Sequence, residues 1–120
     1  MRAMTQRRPH WVYDAGSEPD PRYTLANERT FLAWVRTALA MLAGGVALHA
    51  IGLPETTWVR DVLAILLVLL GGLVTLFAMV RWARVERAMR TSAPLPAFNL
   101  GFLLTGAVLV GAVLLAFSFA

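Results

Sequence analysis

Three long runs of the chain carry no formal charge at neutral pH: 18 residues between Arg36 and Glu55, 19 between Asp61 and Arg81, and the 30 residues after Arg90. An α-helix of 18 to 20 residues covers roughly 27 to 30 Å, about the hydrocarbon thickness of a bilayer. The pattern predicts an all-α integral membrane protein with three transmembrane helices, spanning about Phe31 to Leu53, Val62 to Val80 and Phe98 to Phe119. Asp20 followed by Pro21 reads as an N-cap and first-turn pair. Helix one then starts at Pro21, is roughly 50 Å long, exceeds the membrane thickness and is expected to end at Pro54. The second helix also overruns, because Arg81 to Arg87 contain no breaker before Pro94 and Pro96. Residues 1–20, with Pro9, Gly16 and Pro19, read as a polar tail with little order, and residues 21–120 as one three-helix domain. A cleaved signal peptide fits poorly, since the first apolar stretch begins late and follows an acidic segment, so the N-terminus is expected to be retained.

Composition agrees with this class. The 120 residues are 58% apolar and 15% charged, with a mean hydropathy of +0.64, whereas soluble domains carry about a quarter charged residues. Cysteine is absent, which rules out disulfides, thiolate metal sites and cysteine nucleophiles. All 11 cations are arginine, and the net charge is +4. Their positions say more than their number. Ten lie before or at the start of the first span or in the loop between spans two and three, leaving Arg60 alone in the first loop. The positive-inside rule then puts the N-terminus in the cytoplasm and the C-terminus outside, with the first helix extended into the cytoplasmic interface. Trp34 and Trp82 fall near the cytoplasmic headgroups and Trp58 near the outer ones. The charge excess is thus a topology signal, and nucleic acid is not an expected partner.

One helical face stands out. At about 100° per residue, Arg22, Arg29 and Arg36 share a stripe about 40° wide. Ala33, Ala40, Gly44 and Ala47 continue it, with Thr37 and Ala43 at its edges. Small residues let transmembrane backbones approach closely, which predicts a helix packing face beneath three arginines. Arg36 is then turned toward a protein interior or an aqueous vestibule. The simpler alternative is that Arg29 and Arg36 snorkel to lipid phosphates. Glu28 either pairs with an arginine of a neighbouring helix, such as Arg84 or Arg87, or is solvated. Arg81, Arg84, Arg87 and Arg90 step by three and spiral round their helix, a pattern met by anionic lipid contact. Gly71, Gly72 and Thr75, and Gly101, Gly106 and Gly111, read as packing positions, as does His49.

Enzyme chemistry is not expected. The acids are scattered between the tail, the outer loop and the cytoplasmic boundary, and no nucleophile, base and orienting group can be assembled. His10 and His49 alone give no metal spacing, and no cofactor is implied. No span holds the mid-membrane acid that a very small proton-coupled multidrug antiporter needs.

The run Arg22-Tyr23-Thr24-Leu25-Ala26-Asn27-Glu28-Arg29-Thr30-Phe31-Leu32-Ala33-Trp34, followed by Arg36-Thr37, closely resembles the signature of the YidH-like family of small three-span membrane proteins, domain of unknown function 202. The same core resembles the membrane domain of the yeast vacuolar transporter chaperone, the polyphosphate polymerase complex. The resemblance covers about Arg22 to Ala120 and implies three-helix units packed around a pathway whose basic residues guide polyphosphate. Arg22, Glu28 and Arg29 match motif positions; Arg36 departs from the yeast relative but agrees with the bacterial W-x-R-T ending. The chain lacks the soluble polymerase and phosphate-sensing domains, so polyphosphate synthesis does not carry over.

The expected function is a homo-oligomeric protein of a bacterial-type inner membrane, whose small-residue faces bring arginines into rings around a cytoplasm-facing vestibule for phosphate or polyphosphate. Apolar Leu48 and Ile51 at the outer end of helix one are candidates to seal such an opening. The competing expectation is a non-conducting scaffold that binds anionic lipids or a partner membrane protein.

Overall fold

The computed structural model describes residues 7–119, which form a short helix and three long ones: α1 (His10–Tyr13), α2 (Pro21–Ile51), α3 (Thr57–Thr91) and α4 (Asn99–Phe119). Each of the three long helices is long and apolar enough to cross a membrane. They give the molecule extents of 67 × 25 × 20 Å.

The helix ends follow from local chemistry. Asp20 caps α2, its carboxylate accepting from the Arg22 amide at 2.9 Å, with Pro21 in the first turn. The far end differs from expectation. Gly52, not Pro54, terminates α2: it takes φ +78°, a left-handed conformation that costs glycine little, and returns its N–H to Leu48 O at 3.0 Å. Arg60 then reaches back across the turn to Gly52 O at 2.9 Å. At 35 residues, α3 runs for about 52 Å. It overruns any bilayer span and stops at Ser92, before Pro94 and Pro96.

Helices α2 and α3 form a tight antiparallel hairpin. The buried residues of α2 are Asn27, Ala38 and Gly45. A Cβ on Gly45 would lie 2.8 Å from Ala64 O, and one on Gly71 would lie 2.9 Å from Ala38 O. The backbones therefore touch at two points, which only small residues allow. Ala38, Val74, Ala78 and Leu100 form a buried apolar cluster, flanked by Phe31, Trp34, Met41 and Leu103. Helix α4 leans on α3 and buries only Leu100 and Gly101. Trp58 and Phe117, with ring centroids 6.1 Å apart, tie its far end to the start of α3. Most other large apolar side chains of α4 are exposed, Phe102 at 73% among them. That arrangement suits a solvent of lipid chains.

The tail is the principal departure. Residues 1–20 were expected to have little order, yet in their described part Val12 is fully buried and α1 packs on α3. Composition misled here because the segment contains three apolar or aromatic residues in a row, Trp11, Val12 and Tyr13, and its carbonyl groups meet the arginines of α3. The tail's Met1 to Gln6 lie outside the described residues.

Candidate arginine pole

The N-terminal half of α2, the C-terminal half of α3 and the start of α4 come together at one end of the molecule, which gathers most of the arginines. These divide into a group the chain consumes and a group it leaves free.

Arg90 leads the first group. It is 6% exposed and donates to Ala15 O at 2.9 Å, to Tyr13 O at 2.7 Å and to Glu18 Oε1 at 2.9 Å. Its own carbonyl accepts from Ser17 N at 3.0 Å. Gly16 makes the turn possible, with φ +52° and a Cβ position only 1.9 Å from Arg90 O. Arg87 donates to Trp11 O at 2.5 Å and sits 4.8 Å over the Trp11 ring. Tyr13 tilts against Trp82 at 6.1 Å, and burial pushes its phenol pKa up. The hydrogen bonds of Arg7 and then Arg90 hold the Glu18 carboxyl below its usual value. Arg87, expected to meet anions or lipid, is thus used to fasten the tail.

A second set of contacts locks α2 to α3. Glu86 is 1% exposed and accepts from Thr24 Oγ1 and from Asn27 Nδ2, each at 3.3 Å. Asn27 Nδ2 also donates to Trp82 O at 3.1 Å, while its Oδ1 has no hydrogen-bond partner among the described residues. Glu28, expected either to pair with an arginine such as Arg84 or Arg87 or to be solvated, is exposed with no hydrogen bond or ion pair among the described residues, and Glu86 takes the interior position. The available signal was the single acid within the arginine-rich stretch Arg81 to Arg90, with Asn27 beside Glu28 in the motif.

The free group includes most of the predicted stripe. Arg29 and Arg36 are exposed and have no hydrogen bond or ion pair among the described residues. Arg22 is bound locally, its guanidinium reaching Asp20 at 2.8 Å, and its side chain remains 83% exposed. Ala33, Ala40 and Ala47 are exposed, and Gly44 is half-buried beside Leu67. The stripe is therefore not the face that packs within the chain. Asn27, Ala38 and Gly45 lie roughly 140 to 160° round the helix from Arg22, on the opposite side. Arg84 is exposed as well, and lines a cleft between α3 and α4 with Arg81. Of the glycines read as packing positions, Gly71 is used closely, whereas Gly72 and Gly106 have open space beside them.

Chemically, this end offers guanidinium groups and amides. No three His, Cys, Asp or Glu side chains gather into a metal-ligand group among the described residues.

The domain of unknown function 202 matches residues 22–88, which are the α2–α3 hairpin from Arg22 to beyond Glu86. The chain belongs to this family. It is 49% identical over 102 residues to an uncharacterized protein of Mycobacterium tuberculosis, covering 82% of this chain and 83% of that one. It is also 49% identical over 86 residues to the inner membrane protein YidH of Escherichia coli, covering 70% of this chain and 74% of that protein. No solved structure matches. With three membrane-crossing helices and an inner-membrane relative at this identity, the chain is a multi-pass protein of the inner membrane.

Proposed function

We propose that the chain is a subunit of a homo-oligomer whose α2 arginine faces line a cytoplasm-facing vestibule for phosphate-like anions. The observation that carries the reading is the state of Arg29 and Arg36: both are exposed, with no hydrogen bond or ion pair among the described residues, on the side of α2 opposite α3. The same side continues as exposed Ala33, Ala40 and Ala47, a surface on which another copy's helix packs closely. Copies packed there bring guanidinium groups from several chains into a ring, which concentrates phosphate and polyphosphate and repels cations. The arginine bias between the two poles supports a cytoplasmic location for this end.

The test is anion flux in liposomes containing the purified protein. Phosphate or polyphosphate entry that falls on Arg29→Ala or Arg36→Ala supports the vestibule. Absence of flux, together with anion and lipid binding unchanged in both variants, removes it. Absence of flux with binding that drops in the variants favours the non-conducting scaffold, for which the same free arginines supply the headgroup contacts.

A further inference from the structure

Arg81 and Arg84 differ from the other arginines of α3. Arg60 holds Gly52 O, Arg87 holds Trp11 O, and Arg90 holds the tail. Arg81 and Arg84 have no hydrogen bond or ion pair among the described residues. Both line a cleft of about 300 Å³ between α3 and α4, with Phe77, Val80, Ala97 and Leu100 among its walls and no acidic side chain. Phe77, Val80, Arg81 and Arg84 are spaced i, i+3, i+4 and i+7, so they share one face of α3. Along this face the apolar side chains come first and the cations follow. The change falls at Val80, where the uncharged run of α3 ends. Asn99, the first residue of α4, also lines the cleft, so the positive end of that helix dipole lies there too.

A cleft that is apolar on the membrane side and doubly cationic at the boundary has the polarity of a phospholipid. We propose that it binds one anionic phospholipid, with Arg81 and Arg84 pairing the headgroup phosphate and Phe77, Val80 and Leu100 receiving the first part of an acyl chain. Guanidinium groups bind phosphate oxygens in charge-assisted pairs. Two unpaired cations without a neighbouring carboxylate favour a headgroup of net negative charge over a zwitterionic one. The apolar walls favour a lipid over free phosphate. This site lies on α3 and α4 and does not depend on the α2 face or on oligomerisation.

The experiment is native mass spectrometry of delipidated protein in detergent, titrated with phosphatidylglycerol or phosphatidylcholine. Phosphatidylglycerol is expected to bind about tenfold more tightly, a preference set by two charge-assisted contacts. That preference is lost in the Arg81→Gln/Arg84→Gln double variant. It is also lost in Ala97→Trp, which fills the cleft and keeps both cations. Circular dichroism and size-exclusion profiles matching the parent establish that each variant is folded. Equal binding of the two lipids overturns the proposal, as does phosphatidylglycerol preference surviving either cleft variant. Full displacement of the lipid by free glycerol phosphate also overturns it, because the acyl chain then contributes nothing.

Discussion

The two sides of α2 are built from similar small residues and do opposite things. Ala38 and Gly45 press against the backbone of α3, while Ala33, Ala40 and Ala47 stand exposed below Arg29 and Arg36. Small size permits a close approach on either side; what selects α3's side is a polar lock. Asn27, on the inner side, donates to Trp82 O and to the buried Glu86 carboxylate, contacts that the outer side of α2 does not make among the described residues. A stripe of alanines therefore marks where a helix is able to pack, and the polar residue marks where it does.

The largest expected effect breaks the inner side. Gly71→Leu sets a side chain against Ala38 O and Leu42 and should cost about 3 kcal/mol of hairpin stability, the upper range of overpacking. Unfolding in mixed micelles measures it. Ala40→Leu on the outer side should leave the same monomer transition within about 0.5 kcal/mol, so equal losses in the two variants would abolish the distinction between the sides. Next, Asn27→Ala removes two donors and strips Glu86 of a partner, a loss of about 1 to 3 kcal/mol. If Asn27→Ala leaves the transition in place, the polar lock does not set the rotation.

Smaller effects concern the docked tail. Gly16→Ala forces a side chain into Arg90 O and should raise amide exchange across residues 10–18 while leaving the hairpin amides protected. Acid should act at the same place. Because the Glu18 carboxyl is held below its ordinary value in the folded state, its contribution is complete above the usual carboxylate pKa and disappears as pH falls through the lowered one. Proteolysis of the tail should therefore quicken at acid pH and lose that pH dependence in Glu18→Gln. The smallest effect belongs to the outer arginines: Arg29→Gln and Arg36→Gln should shift stability by less than about 0.5 kcal/mol while changing anion binding.

The three spans were legible because charge-free runs of bilayer length admit few other structures, and the Asp20–Pro21 start was legible because capping is local. The end at Gly52 was missed because Pro54 was given the stronger claim, although a left-handed glycine two residues earlier already stops the helix. The inner side of α2 was not legible: alanine and glycine recur on both sides, and Glu86 lies 59 residues from Asn27. Periodicity gives the arginine stripe a shared direction without saying what lies opposite it. The docked tail escaped because most of its acceptors are main-chain carbonyls, which every residue possesses.

The latch at Arg90 responds to changes of length more than to changes of side chain. A guanidinium that grips the carbonyls of Tyr13 and Ala15 reads chain path and ignores spelling. Side chains at many of these positions can be exchanged without loosening it. Inserting or deleting a single residue between Tyr13 and Glu18 would instead slide the carbonyls and the carboxylate out of step with one fixed cation. The latch is a ruler, tolerant of substitution and intolerant of length.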